Sequence, residues 1–248
     1  MKSIFFDFIF LVFFYLFRPW CSNYFLKISK NVKLILPEKK LDKRILARIK
    51  IGSYERHEMK LLKNYFQGNK VILELGGSLG FISCATQELY RPKMHVIIEG
   101  NSSLIPYLKK NLAQYKKTSH ILIKHLIIGD SNKCGYFVSN KNTLASKVNF
   151  KQDTISKKYQ LYSFNYIKRN YIKNKKYSLI CDIEGAEKYI FKNKSDFTNC
   201  SEILIEAHTI FDNFSENDKN NMFKKLKLMK FKLIKKSGRA FYFKKSYE

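Results

Sequence analysis

The sequence predicts an α/β fold built on a parallel β-sheet. Short apolar runs, each long enough for one buried strand, alternate with segments of helical period in the first half of the chain. A glycine-rich turn follows the first run, and a β-α-β-α-β order requires parallel strands with helical crossovers. At 248 residues, with 45% hydrophobic and 27% charged residues, the composition excludes wholesale disorder. We predict one α/β domain with an N-terminal appendage.

The apolar and turn signals place the elements in order. A helix begins at Ser53 and ends at Gly68, and the strand 71–75 then leads through the turn 76–80 into a helix that ends at Tyr90. The next predicted elements are a strand over 94–98, a helix capped by Ser102 or Ser103, a strand over 121–128, a polar connection over 131–158, a helix over 159–171, strands over 177–181 and 202–206, a helix from Ser215 and a final hairpin.

The net charge of +27 comes from 47 Lys and Arg against 20 Asp and Glu. Lys, Asn, Ile, Phe and Tyr, all with A/T-rich codons, are abundant together, so biased composition is the favoured explanation. A polyanionic partner such as nucleic acid or an anionic membrane is the alternative. The five cysteines are scattered without a CxxC pair, which indicates neither a disulfide framework nor structural zinc.

The N-terminal residues 4–17 are apolar except for Asp7. Fourteen helical residues span about 21 Å, less than the hydrocarbon core of about 30 Å. We predict that residues 1–35 form a membrane-associated helix and a basic linker, and that residues 36–248 form the main domain. The lysines that follow the apolar run place that domain in the cytoplasm, attached to the inner face of a membrane. A buried helix against the domain is the alternative.

A strand-turn-helix unit carries the first chemical signal. The turn Gly76-Gly77-Ser78-Leu79-Gly80 directly follows a buried strand, and glycines there let a ligand approach the backbone. Glu99 ends the next strand, nineteen residues after Gly80, where a carboxylate can accept both ribose hydroxyls of a nucleoside. The two features together predict a nucleoside crevice.

Several further motifs resemble those of a known family. The motif Glu74-x-Gly76-x-x-x-Gly80 resembles that of class I S-adenosylmethionine methyltransferases. The runs Asp182-Ile-Glu-Gly-Ala-Glu187 and Glu206-Ala-His208 resemble the FkbM family more specifically. Two further runs, Gly52-Ser-Tyr-Glu55 and Gly129-Asp130, also resemble motifs of the FkbM family. The resemblance therefore extends from about residue 52 to residue 208.

The resemblance implies a Rossmann-like, doubly wound, seven-stranded sheet whose last strand is antiparallel. It implies S-adenosylmethionine as cofactor and O-methylation of a glycan or small-molecule hydroxyl. The implied cofactor contacts are Glu74 and the turn residues Gly76, Gly77, Ser78 and Gly80 around the methionine part and ribose, Glu99 on the ribose diol, Asp130 on the adenine and Asp182 beside the methyl sulfonium.

An acidic segment follows in the second half of the chain. Residues 177–218 hold nine Asp and Glu against three Lys in an otherwise basic protein. We predict that Asp182, Glu184 and His208 are catalytic, since they stabilise a sulfonium or deprotonate a hydroxyl; a divalent metal site is an open alternative. His208 is the best base by its intrinsic pKa, although a structural strand-end histidine is equally compatible with the sequence.

Two other functions remain open at this stage. An RNA methyltransferase would account for the basic composition, but the acidic segment would repel phosphates, and the chain has no (D/N/S)-P-P-(Y/F) motif. A membrane-tethered binding module of the same fold without activity is the third candidate. We therefore expect a methyltransferase with a small-molecule or glycan acceptor, and no nucleic-acid partner.

Overall fold

The computed structural model describes residues 34–38, 41–117, 119–131, 134–138, 147–149, 157–208 and 215–246. The predicted apolar segment 4–17 lies outside the described residues, as does much of the 131–158 connection. In the described part of the chain, we find no helix with the length and apolar character that crossing a bilayer requires.

Six α-helices are described. They are α1 (Lys43–Lys50), α2 (Arg56–Asn64), α3 (Phe81–Tyr90), α4 (Ile105–Leu112), α5 (Phe164–Ile167), which continues into a π-helical turn at Lys168–Ile172, and α6 (Glu216–Leu228). Helix α6 begins with a capping box: the Ser215 hydroxyl accepts from the Asp218 amide while the Asp218 carboxylate accepts from the Ser215 amide.

Eleven strands are described. They are β1 (Val71–Leu75), β2 (Met94–Glu99), β3 (His120–His125), β4 (Ile127–Ile128), β5 (Cys134–Val138), β6 (Lys147–Asn149), β7 (Lys157–Tyr162), β8 (Tyr177–Cys181), β9 (Cys200–Glu206), β10 (Phe231–Ser237) and β11 (Ala240–Lys245).

The main sheet has seven strands in the order β10-β11-β9-β8-β1-β2-β3. Strands β3, β2, β1, β8 and β9 are parallel, and β11 is antiparallel to both of its neighbours. This arrangement confirms the predicted seven-stranded sheet with an antiparallel last strand. The second sheet, in the order β4-β7-β5-β6, is built from the connection between β3 and β8.

The central strands are apolar because both faces of the sheet are covered. All five residues of β1 and all five of β8 are buried. One core cluster, which includes Phe197 and Met222, packs between the sheet and α6, and a second, which includes Leu61 and Leu62 of α2, fills the other face. Because the carboxyl ends of the parallel strands meet at one edge, the turns after β1, β2, β8 and β9 lie together.

Three local predictions differ from the structure. The strand predicted over 121–128 is divided between the two sheets, since β3 pairs with β2 and β4 pairs with β7. Residues 157–162 form β7 instead of a helix because they pair with β5 and β4. Neither Ser102 nor Ser103 caps α4: the Asn101 side chain accepts from the amide and hydroxyl of Ser103.

Candidate functional site

The glycine turn is pressed against the ends of the neighbouring strands. Gly76 has a φ of 89°, and its amide donates to the Ile98 carbonyl at 2.8 Å. A Cβ atom on Gly76 would lie 1.6 Å from the Asp182 carbonyl oxygen, so only glycine fits there. Strand β1 has β2 on one side and β8 on the other, and the turn therefore lies at the switch point where α/β sheets bind ligands.

Glu99 faces this turn from the end of β2. Its carboxylate is buried and accepts from the amides of Ser78, at 2.7 Å, and Asn101, at 2.6 Å. Burial raises the pKa of Glu99, and the two amide donors partly offset the increase. The carboxylate is thus held in a fixed orientation at the position where the sequence predicts a ribose contact.

Glu74 points into the interior beneath the turn. One carboxylate oxygen accepts from the Ser83 hydroxyl at 2.7 Å, and the other lies 2.8 Å from Nε2 of His95. The opposite nitrogen of His95 is 2.9 Å from the Gln87 side-chain amide. All four side chains are buried, so the network ties α3 to strands β1 and β2. The structure therefore gives Glu74 contacts that hold the turn in place.

His208 lies at the centre of an acidic cluster formed where β8 and β9 end. Its Nδ1 is 2.7 Å from the fully buried Glu187 carboxylate. Its Nε2 is 3.6 Å from Asp182, 3.5 Å from Glu184 and 3.4 Å from Glu206. We call these four carboxylates and His208 the acidic cluster.

The carboxylates determine the charge of His208. Burial alone would lower the pKa of its imidazole, but Glu187, Glu206 and the other two carboxylates outweigh that effect and raise the pKa to about 11. The imidazole is therefore a cation at neutral pH. The intrinsic pKa near 6.5, which the sequence argument used, does not apply inside this cluster.

Asp182 and Glu184 have the most accessible side chains of the cluster. Their side chains are 29% and 30% exposed, whereas that of His208 is 3% exposed. Burial and the neighbouring carboxylates raise the pKa of each, and the His208 cation partly opposes the increase. Glu184 has a φ of 50° and Gly185 a φ of 96°, so a left-handed turn directs Glu184 back toward His208.

Glu58 of α2 adds a neutral acid to the site. Burial first, and then the charge of Glu206, raise the pKa of Glu58 to about 9. Burial alone would raise the pKa of Glu206, but hydrogen bonds from His208 and Glu58 lower it to about 2. The Arg239 guanidinium lies 3.0 Å from the Glu206 carboxylate. At neutral pH, Glu58 is therefore protonated and Glu206 is ionised.

We expect Glu58→Gln to reduce the loss of unfolding free energy between pH 6 and pH 9, and to match the wild type in stability only near about pH 4. The Gln amide can donate to Glu206 as the protonated acid does. Because the folded pKa of Glu58 exceeds the unfolded value, its contribution is complete below about pH 4.3 and is lost as the pH rises toward 9. Urea unfolding at pH 6 and pH 9 measures the difference.

The matched control for this variant is Glu216→Gln, which changes an exposed glutamate at the start of α6. We expect the control to retain the wild-type loss of unfolding free energy between pH 6 and pH 9. An equally steep loss in Glu58→Gln would show that Glu58 is already ionised at pH 6.

A pocket opens between the glycine turn and the acidic cluster. Its volume is about 350 Å³, including the solvent at its mouth, and its lining includes Gly76, Glu55, Glu58, Asp182 and Glu206. In the part of the chain that the structure describes, Oε2 of Glu55 and Oδ1 of Asp182 are buried without a hydrogen-bond partner. Oδ1 of Asp182 also lies 3.6 Å from Nε2 of His208. Burial raises the pKa of both carboxyl groups, so a cationic group in the pocket would stabilise their ionised forms.

The remaining predicted residue, Asp130, lies at the start of the connection that builds the second sheet. Its carboxylate is 3.6 Å from the Lys192 ammonium, and its side chain is 27% exposed. The Gly129 amide donates to the Tyr162 carbonyl, which fixes Asp130 beside β7.

Asp182, Glu184 and His208 could also hold a divalent metal ion. One ligand atom from each lies within 4.8 Å of the others. Carboxylates and an imidazole are ligands that Zn²⁺ or Mn²⁺ accepts. The arrangement therefore permits proton transfer, or metal binding once Nε2 of His208 has released its proton.

Glu58 was not among the catalytic residues predicted from the sequence, which were Asp182, Glu184 and His208. The signal was present, because Glu58 lies three residues before Leu61 on the inward face of α2. A carboxylate on a buried helical face indicates either a paired acid or a site residue.

Comparison with known proteins gives structural similarity only. No family model and no curated protein matches the sequence. The chain is similar to a precorrin-6y methyltransferase from Geobacter metallireducens, with a TM-score of 0.48, 10% identity and coverage of 90% of this chain and 100% of that one.

Two further solved structures are similar over about three quarters of this chain. The fibrillarin pre-rRNA processing protein of Methanococcus jannaschii has a TM-score of 0.43 and 14% identity, and covers 72% of this chain and 67% of its own. TrmK of M. capricolum, solved with S-adenosylhomocysteine, has a TM-score of 0.41 and 11% identity, with coverage of 75% and 65%. All three scores are below 0.5, so we base the fold on the strand order of this chain.

Proposed function

We propose that the protein is an S-adenosylmethionine-dependent O-methyltransferase that acts on a hydroxyl of a glycan or small molecule. The observation that carries the proposal is the pocket between the glycine turn and the acidic cluster, where buried oxygens of Glu55 and Asp182 have no hydrogen-bond partner. S-adenosylmethionine bears a sulfonium and an ammonium group, and these oxygens suit positive charge. The FkbM-like motifs described above are consistent with this cofactor.

The residues have distinct roles in the proposal. Glu99 holds the ribose diol, and the amides of residues 76–80 line the approach to the cofactor. Glu74 fixes the turn from beneath through Ser83 and His95. Asp130, close to the same edge of the sheet, contacts the adenine.

The bound cofactor supplies an electrophilic methyl group, and the protein must place a hydroxyl in line with it. The base that takes the hydroxyl proton is Asp182, which lines the pocket, or Glu184, which faces the same nitrogen of His208, and both have a raised pKa. His208 is buried and protonated, so it orients these carboxylates and limits their mutual repulsion.

We expect Glu99→Ala to weaken S-adenosylmethionine binding by about 1.5–3 kcal/mol, the range for hydrogen bonds to a charged group, or roughly 10- to 150-fold in Kd. The physical reason is the loss of the two diol hydrogen bonds. Isothermal titration calorimetry with S-adenosylmethionine or S-adenosylhomocysteine measures the effect. Glu99→Gln preserves the shape of the side chain and should give an intermediate affinity.

The exposed substitution Glu216→Ala serves as the control and should bind as the wild type does. Unchanged affinity in a folded Glu99→Ala protein would contradict the assignment. Tritiated methyl transfer to a polysaccharide or metabolite extract then separates an active methyltransferase from an inactive binding module. Methyl incorporation into RNA instead would favour the RNA methyltransferase alternative.

A further inference from the structure

Three tyrosines lie together outside the pocket: Tyr166 is exposed, whereas Tyr162 and Tyr171 are half-buried. The rings of Tyr162 and Tyr166 are 5.0 Å apart at 44°, and Tyr166 is 40% exposed. The Tyr171 side chain is hydrogen-bonded to that of Tyr166, and burial together with Tyr166 raises the pKa of Tyr171. We call Tyr162, Tyr166 and Tyr171 the tyrosine surface.

Positive charge accompanies this surface. The Lys124 ammonium of β3 lies 5.5 Å from the centre of the Tyr171 ring, and Arg169 is exposed three residues after Tyr166. Residues 157–176 contain seven Lys and Arg and no Asp or Glu. The segment that follows it, residues 177–218, has a charge of −6 from nine acidic and three basic residues. The two signs are therefore segregated along the chain.

The tyrosine surface borders the proposed cofactor site. The Tyr162 carbonyl accepts from the Gly129 amide at 3.1 Å, and the next residue, Asp130, is the predicted adenine contact. Strand β3, which carries Lys124, forms the outer edge of the main sheet. A chain lying on the tyrosines would therefore have one end close to the ligand-binding edge of the sheet.

We propose that the tyrosine surface binds an anionic glycan, with sugar rings against the tyrosines and acidic groups of the glycan paired with Lys124 and Arg169. Tyrosine offers an apolar face for the C–H face of a sugar and a hydroxyl for its oxygen atoms. This inference names the acceptor class and to that extent rests on the proposed function.

The charge pattern favours a glycan over a nucleic acid. A nucleic acid carries a phosphate on every residue, so the residues beyond the tyrosine surface would bring negative charge to Asp130 and the acidic cluster. A glycan with acidic groups on some residues can present an uncharged ring there. Its hydroxyls are also the acceptor groups that the proposed reaction requires.

Binding is measured without S-adenosylmethionine, by fluorescence anisotropy with end-labelled probes. The probes are a uronic-acid hexasaccharide prepared from alginate, the neutral maltohexaose and a uridine dodecanucleotide. We expect the uronate to bind most tightly, and its affinity to fall as the salt concentration rises. Tyr166→Ala and Arg169→Glu should each raise the Kd for the uronate about tenfold, because aromatic and arginine side chains supply much of the binding energy in interfaces.

The control is Lys235→Ala with Lys236→Ala on β10, at the opposite edge of the same sheet. Both lysines lie over aromatic rings, as Lys124 does, so the control matches the local chemistry. It should leave uronate affinity unchanged.

Each of three results would overturn the proposal. Maltohexaose could bind as tightly as the uronate, the oligonucleotide could bind more tightly than the uronate, or a folded Arg169→Glu protein could bind the uronate with wild-type affinity. Cofactor binding in calorimetry without uronate binding overturns only the glycan surface. Uronate binding without cofactor binding supports the surface and contradicts the proposed function.

Discussion

Gly76→Ala is expected to abolish folding or to destabilise the protein by more than about 4 kcal/mol, the range reached by few single substitutions. The new Cβ would lie 1.6 Å from the Asp182 carbonyl oxygen and 2.7 Å from its carbonyl carbon. Both atoms belong to backbone at the end of β8, where the Asp182 amide donates to the Leu75 carbonyl. Relief would require separation of β1 from β8 at the centre of the sheet.

The matched control is Gly80→Ala in the same turn. Gly80 has a φ of 86°, close to the 89° of Gly76, so the two substitutions share the left-handed strain. The nearest atom to a Cβ on Gly80 is a methyl group of Leu108 at 3.0 Å, and this side chain can move. We expect a cost of about 1–2 kcal/mol for the control, as for one residue in the left-handed region. Equal costs for both variants in urea unfolding would show that the Asp182 contact is unimportant.

His208→Ala is expected to destabilise the protein by about 3–5 kcal/mol at pH 7, the cost of leaving buried charges without their partner. The substitution removes the cation that four carboxylates face, and Glu187 has no exposed surface. His125→Ala, at the exposed end of β3, is the control, and its effect should stay within about 0.5 kcal/mol.

The pH dependence tests the charge of His208 directly. Its folded pKa of about 11 exceeds the unfolded value near 6.5, so the stabilisation is complete below pH 6.5 and is lost as the pH rises toward 11. The difference in unfolding free energy between wild type and His208→Ala should therefore narrow from pH 6 to pH 10. A constant difference across this range would mean that the folded protein holds His208 neutral.

The sequence determined most of the sheet. Local hydrophobic runs and turn residues are readable from the chain alone, and strands β1, β2, β8 and β9 agree with the predicted runs to within two residues. Parallel strands place their carboxyl ends at one edge, so the motifs after β8 and β9 could be brought together without coordinates. Asp182, Glu184, Glu206 and His208 do meet there.

The tertiary structure alone decided pairing between distant segments. The residues of β7 have a pattern that also fits a helix, and their pairing with β5 and β4 selects the strand. The sequence identifies Glu74 as the start of the glycine motif but does not show its partners. Ser83 of α3 and His95 of β2 contact the two carboxylate oxygens of Glu74. Such choices depend on contacts between elements and not on local periodicity.

The protonation states also required the tertiary structure. The intrinsic pKa of histidine makes His208 a neutral base, whereas four carboxylates from two turns make it a buried cation. Glu58 reaches the same site from α2 and stays protonated beside Glu206. Coulombic interactions and burial depend on distances across the fold, so the sequence located the acidic groups while the structure determined which of them carry charge.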